Sequence, residues 1–78
     1  MYVEVRTYAT LCKYTKQKTG IPFTIELEEN TQVNRLVDIL GIPADEVKLY
    51  IVNGRSVEKD YVLKKGDRVS LFPPLAGG

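Results

Sequence analysis

From Tyr2 to Tyr8 the chain alternates, with Val3 and Val5 on one side and Tyr2, Glu4, Arg6 and Tyr8 on the other. Successive side chains of an extended chain point to opposite faces, so this pattern predicts a half-buried strand over 2–8. The rhythm breaks between Ala9 and Gly20, where Lys13, Lys16 and Lys18 fall, and this stretch reads as a surface connection with a helical turn around Leu11 and Cys12. Ile21, Phe23, Ile25 and Leu27 then recur at every second position, a further one-faced strand. Pro22 near its start has no N–H to give to a neighbour and favours a sheet edge.

The period then changes. Val33, Leu36, Val37 and Leu40 stand at i, i+3, i+4 and i+7, one apolar stripe of a helix over about 31–40. Asn30 or Thr31 is suited to cap its start, and Gly41 with Pro43 to stop it. Three turns alone are barely stable in water, so the helix must lie on a sheet. After a single turn at 43–46, Leu49–Val52 and Arg55–Val57 read as strands joined by Asn53-Gly54, whose residues tolerate the positive φ that a tight hairpin demands. Lys65-Gly66-Asp67 is another tight turn, leading into a last strand with Val69 and Leu71 on one face and Phe72 on the other. Pro73-Pro74 ends it, because neither residue can donate a ladder hydrogen bond.

Strand, strand, helix, strand, short strand, strand is an α+β order, and one helix across one mixed sheet of four to five strands is the economical way to bury it. Val3, Val5, Phe23, Ile25, Leu27, Leu49 or Ile51, Val69 and Leu71 are the expected sheet contribution to the core, facing Val33, Leu36, Val37 and Leu40. The pattern resembles the β-grasp, or ubiquitin-like, fold, with 1–72 as the domain and 73–78 as an extended tail.

Composition limits the chemistry. With 78 residues there is room for one small domain and none for a large catalytic cleft. Lys and Arg number 11 against 10 Asp and Glu, without a long single-sign block, which argues against a nucleic-acid binder. The chain has no His and one Cys, so it lacks the usual near-neutral acid/base group and cannot build a disulfide or a thiolate metal site. The opening MYVEVRTY has neither a cationic leader nor an apolar run, so no membrane association is expected and the cytoplasm is the default setting.

The segment from Phe72 through Pro73, Pro74, Leu75, Ala76 and Gly77 to Gly78 carries the most information. Two prolines stiffen the exit from the sheet, and the residues after them taper in side-chain size without a charge or a nucleophile. Six residues beyond Phe72 reach roughly 20 Å when extended, enough to enter a narrow tunnel in another protein. A terminal glycine has no Cβ to shield its carbonyl carbon from an attacking group.

Taken with Tyr8-Ala9-Thr10-Leu11, Val52-Asn53-Gly54 and Leu63-Lys64-Lys65-Gly66-Asp67-Arg68-Val69, that ending resembles the sulfur carriers of the ThiS/MoaD family over nearly the whole chain. Phe72-Pro73-Pro74 with Gly77-Gly78 is most similar to molybdopterin synthase small subunits. The resemblance implies a protein co-substrate with no catalytic residues of its own, monomeric when free. A ubiquitin-activating-like adenylyltransferase would use ATP to convert the Gly78 carboxylate to an acyl-adenylate, a sulfur donor would make it a thiocarboxylate, and an acceptor synthase large subunit would take the sulfur. Phe72, Pro73, Pro74, Leu75, Ala76 and Gly77 are then the partner-binding residues, and the carrier itself binds no cofactor. Molybdenum or tungsten cofactor synthesis is the leading pathway. Thiamine, tRNA thiolation or cysteine synthesis, or service as a protein modifier, are the alternatives. Cys12-Lys13 stands where small subunits commonly carry an Arg-Glu pair.

Alternation places Phe72 on the face away from the helix, where Tyr2, Tyr8 and Tyr50 are candidates to complete an aromatic docking patch. Cys12 reads as a small, partly buried thiol before it reads as a sulfur relay. The lysine run is more often a solvated loop than a steering device. Asp67 is favoured by its turn whether or not it meets a partner.

Overall fold

The computed structural model describes residues 1–74. Its strands β1 (Tyr2–Thr7), β2 (Phe23–Glu26), β3 (Leu49–Val52), β4 (Arg55–Val57) and β5 (Arg68–Phe72) form one sheet in the order β2-β1-β5-β3-β4. β1 and β5, in the middle, run parallel with Val5 opposite Val69 and Thr7 opposite Leu71. The remaining pairs are antiparallel. A 3-10 turn (Ala9–Leu11) and the single-turn helix α1 (Cys12–Thr15) follow β1. The main helix α2 (Val33–Ile39) precedes a second 3-10 turn at Ala44–Glu46. β2 lies at an edge, the position that Pro22 just before it favours.

Val3, Val5, Val52, Val69 and Leu71 on the sheet and Val33, Leu36 and Val37 on α2 are all buried, and Leu11, Leu27, Ile42, Val47 and Leu63 close the rim from loops and turns. Phe23, Ile25 and Leu40, expected inside, are only partly buried against this core. The larger departure is in β3. Tyr50 and Val52, not Leu49 and Ile51, share the core face, because they stand opposite Leu71 and Val69 of β5. Leu49 is paired with Phe72 and is 39% exposed on the open face. All four residues of β3 are apolar or aromatic, so no alternation announces which pair turns inward.

The start of α2 also differs from expectation. Asn30 takes a left-handed φ of 66° and the Thr31 hydroxyl donates to Glu28 O at 2.6 Å, so neither caps the helix. Gln32 is the capping residue and makes no side-chain cap bond. The amides of Val33 and Asn34 instead donate to Tyr61 O and Lys59 O, each at 2.9 Å, so the loop before β5 satisfies the helix start. At the other end Gly41, with φ of 77°, lets Gly41 N reach Asp38 O at 2.9 Å and Ile42 N reach Val37 O at 3.1 Å, while Ile42 buries its side chain. That is a Schellman-type stop of the kind glycine permits. The hairpin at Asn53-Gly54 has φ values of 52° and 83°, as anticipated.

Candidate functional site

Because Thr7 and Leu71 are in register on parallel strands, the next residues, Tyr8 and Phe72, emerge side by side on the sheet face away from α2. Their rings stack with centroids 4.2 Å apart and planes 9° from parallel. The other neighbour of β5 is β3, and there Leu49 pairs with Phe72. Phe72 therefore sits between an aromatic ring and an aliphatic side chain. The chain leaves β5 at this point, through half-buried Pro73 and exposed Pro74.

These residues form an open groove of about 630 Å³ with Tyr8, Ala9 and Thr10 on one flank, Lys48 and Leu49 on the other, and Phe72, Pro73 and Pro74 between. Lys48 is its only charged lining residue among those described. Two backbone features shape the first flank. Ala9 adopts a left-handed φ of 53°, which turns the chain sharply out of β1 at a cost of roughly 1 kcal/mol. Gly20, at φ 72°, lies so near the Tyr8 ring that a Cβ there would stand 3.3 Å from Tyr8 Cε2.

The structure brings Phe72, Pro73 and Pro74 into this groove and adds Tyr8 to them. It does not add Tyr2, which is 60% exposed at the far end of β1, six residues away and so about 20 Å along the strand. Nor does it add Tyr50, whose face is the inner one and whose phenol pKa is raised by burial. Ala9, Thr10, Lys48 and Leu49 are the members that the sequence did not mark as site residues, because their membership depends on how β1 and β3 pair with β5 on either side of Phe72. Leu75, Ala76, Gly77 and Gly78 lie outside the described residues.

The other candidates take structural roles. Asp67 is 6% exposed, accepts from Asn53 Nδ2 at 3.0 Å and from Lys64 N at 2.8 Å, and so fixes one turn against the other. The half-buried Cys12 thiol donates to Thr7 O at 3.4 Å. Lys13 projects its ammonium to 5.2 Å from the Tyr14 ring centroid. The Tyr14 hydroxyl donates to the Glu46 carboxylate, and that hydrogen bond, followed by burial and the nearby charges of Glu46 and Asp45, raises its pKa. Among the described residues no group of three or more potential metal ligands gathers, and no helix is long and apolar enough to cross a membrane.

A small mixed sheet with parallel central strands, one crossing helix and an apolar groove where its last strand ends defines a ubiquitin-like β-grasp protein. The chain belongs to the Mut7-C ubiquitin family, whose model matches residues 1–76. Among solved structures it is similar to a putative molybdopterin converting factor subunit 1 from Pyrococcus furiosus, at 27% identity over 96% of this chain and 99% of that one, with a TM-score of 0.73. It is also similar to a chain in the complex of subunits 1 and 2 of molybdopterin-converting factor from Helicobacter pylori, at 26% identity over 100% of both chains, TM-score 0.61. SAMP1 from Haloferax volcanii shares the fold at 20% identity over 100% of both chains, TM-score 0.74. No curated protein matches the sequence. The ThiS/MoaD-type ubiquitin-like character read from the turns and the tail agrees with these neighbours.

Proposed function

We propose that this chain is a ubiquitin-like sulfur carrier that works from the Gly78 carboxylate and serves as the small subunit of a molybdopterin-type synthase. The carboxylate attacks the α-phosphorus of ATP on an adenylyltransferase, pyrophosphate leaves, and an acyl-adenylate forms. A sulfide equivalent from a sulfur donor then attacks the acyl carbon and AMP departs, leaving a thiocarboxylate whose sulfur is handed to a large-subunit acceptor. Activation is needed because a carboxylate is a poor electrophile and AMP a good leaving group. The adenylating groups and the acceptor's catalytic groups belong to the partners, and an ATP-consuming partner goes with a cytoplasmic setting.

The observation that carries the reading is the apolar groove at Phe72, Pro73 and Pro74, at the root of the uncharged segment Leu75-Ala76-Gly77-Gly78. An apolar surface at that root lets a partner grip the folded body while the slim end enters its active site. The likeness to molybdopterin converting factor subunit 1 at 27% identity supports the choice of pathway.

Intact mass of the protein from its native host tests this, together with the identity of what co-purifies. The expected species ends at Gly78, gains the mass of one oxygen-to-sulfur exchange with adenylyltransferase, ATP and a sulfur donor, and travels with a large pterin-binding subunit. A thiazole synthase in its place redirects the sulfur to thiamine, and Gly78 joined to lysines of other proteins makes the chain a modifier. Full sulfur delivery after deletion of Gly77 and Gly78, or with a residue appended after Gly78, rejects the carrier mechanism.

A further inference from the structure

We propose that the hydrogen bond from Tyr14 to Glu46 is a clasp that holds the two flanks of the groove at a fixed spacing, making both side chains positioning residues for the partner that docks there. The clasp itself is a property of this chain alone, and its value for docking rests on the carrier reading.

One flank, Tyr8 to Thr10, continues through buried Leu11 into α1, which carries Tyr14. The other, Lys48 and Leu49, begins two residues after Glu46 at the end of the second 3-10 turn. Each flank is tied separately to the strand between them, Tyr8 by its ring stack on Phe72 and Lys48 by its amide, which donates to Phe72 O at 2.8 Å. Among the described residues, the Tyr14–Glu46 bond is the one hydrogen bond that joins the segment 8–16 directly to the segment 43–49, across 32 positions of sequence.

The first flank needs such a tie. α1 has four residues, too few to be stable alone, and left-handed residues stand on either side of it, Ala9 at φ 53° and Lys16 at φ 57°. Leu11 is buried in the core, and Cys12 and Thr15 are hydrogen-bonded to Thr7 at the end of β1, at 3.4 Å to its carbonyl and 3.0 Å to its hydroxyl, but these ties hold the segment to its own strand and none reaches the other flank. Tyr14 supplies the tie across, packing its ring on the edge of the core while its hydroxyl reaches the Glu46 carboxylate.

Amide hydrogen exchange on the full chain, resolved by residue, tests the clasp with Tyr14→Phe, Glu46→Gln and the double variant Tyr14→Phe/Glu46→Ala. In Tyr14→Phe the amides of Leu11 and Lys16 on one flank, and of Val47 and Lys48 on the other, are expected to exchange roughly three- to tenfold faster, the loss of one surface hydrogen bond. Leu40 and Ile42, at the end of α2, stay at the wild-type rate. Glu46→Gln keeps a neutral acceptor oxygen and falls between, and the double variant is no faster than Tyr14→Phe. Unchanged flank rates, acceleration that includes Leu40 and Ile42, or additive effects in the double variant overturn the proposal. Sulfur loading of Phe72→Ala separates the two ideas. If loading is unaffected while Tyr14→Phe frees both flanks, the clasp stands and the docking role of the groove falls.

Discussion

Leu71 and Phe72 are neighbours in β5 that point to opposite faces, so replacing each by alanine separates what the fold needs from what the groove does. Leu71 is 0% exposed against α2. Leu71→Ala removes its methyl groups and leaves a cavity that its rigid neighbours fill poorly, at a cost of about 3 kcal/mol. Phe72 is half-buried on the open face, and Phe72→Ala loses the stack on Tyr8 and part of the ring's burial, together about 1.5 kcal/mol. A chain of 78 residues has a total stability of about 4–12 kcal/mol, so the first change takes a large share and the second a tolerable one. In melting temperature the losses are about 20 °C and about 10 °C. Function should rank them in reverse. Measured per folded molecule at low temperature, sulfur loading by the adenylyltransferase should fall roughly tenfold or more in Phe72→Ala, the loss of one well-packed interface anchor, and stay near wild type in Leu71→Ala. Urea unfolding followed by circular dichroism, with loading read by intact mass, supplies both numbers. Equal destabilisation by the two changes would refute the face assignment, and undiminished kcat/KM in Phe72→Ala would refute the docking role.

Asp67→Ala should cost about 2–3 kcal/mol by urea unfolding, since it strips two hydrogen bonds from a nearly buried carboxylate and leaves Asn53 Nδ2 and the Lys64 amide without that acceptor. Gly54→Ala should cost about 1 kcal/mol, arising from its φ of 83° alone, because no atom within 4 Å would meet the added methyl group; a loss above about 3 kcal/mol would mean that a contact, not the torsion, is decisive. Tyr14 is held neutral in the folded chain by its bond to Glu46, with its pKa above the ordinary 10.0. A raised folded-state pKa means that the stability it lends is full below about pH 10 and is lost as pH rises through the folded value. Phenolate absorbance should accordingly show two late-ionising tyrosines, Tyr14 and Tyr50, of which one is lost in Tyr14→Phe, and a late phase of equal amplitude in both proteins would contradict the bond.

Much of this molecule can be read along the chain because its determinants are local. Val3 and Val5, or Val33, Leu36 and Val37, announce strand and helix by their own spacing, and the same spacing tells which side is buried. Asn53-Gly54 and Gly41 announce their turns because positive φ is costly for most other residues. The capping of α2 was not legible, since the carbonyls that satisfy its first amides belong to Lys59 and Tyr61, far along the chain.

The candidate site divides along the same line. Phe72, Pro73 and Pro74 stand out in the sequence because two prolines must end a strand. Tyr8 becomes their neighbour only because β1 and β5 run parallel and in register, and Leu49 joins only because β3 pairs with β5 so that Tyr50 and Val52 turn inward. A strand of four consecutive apolar or aromatic residues fits either phase. The choice falls to the partner strand, whose ladder allows one register once Val69 and Leu71 are committed to the core. Local sequence therefore set the elements and, outside β3, most of their buried faces, and pairing between distant strands decided the face of β3 and which side chains meet at the groove.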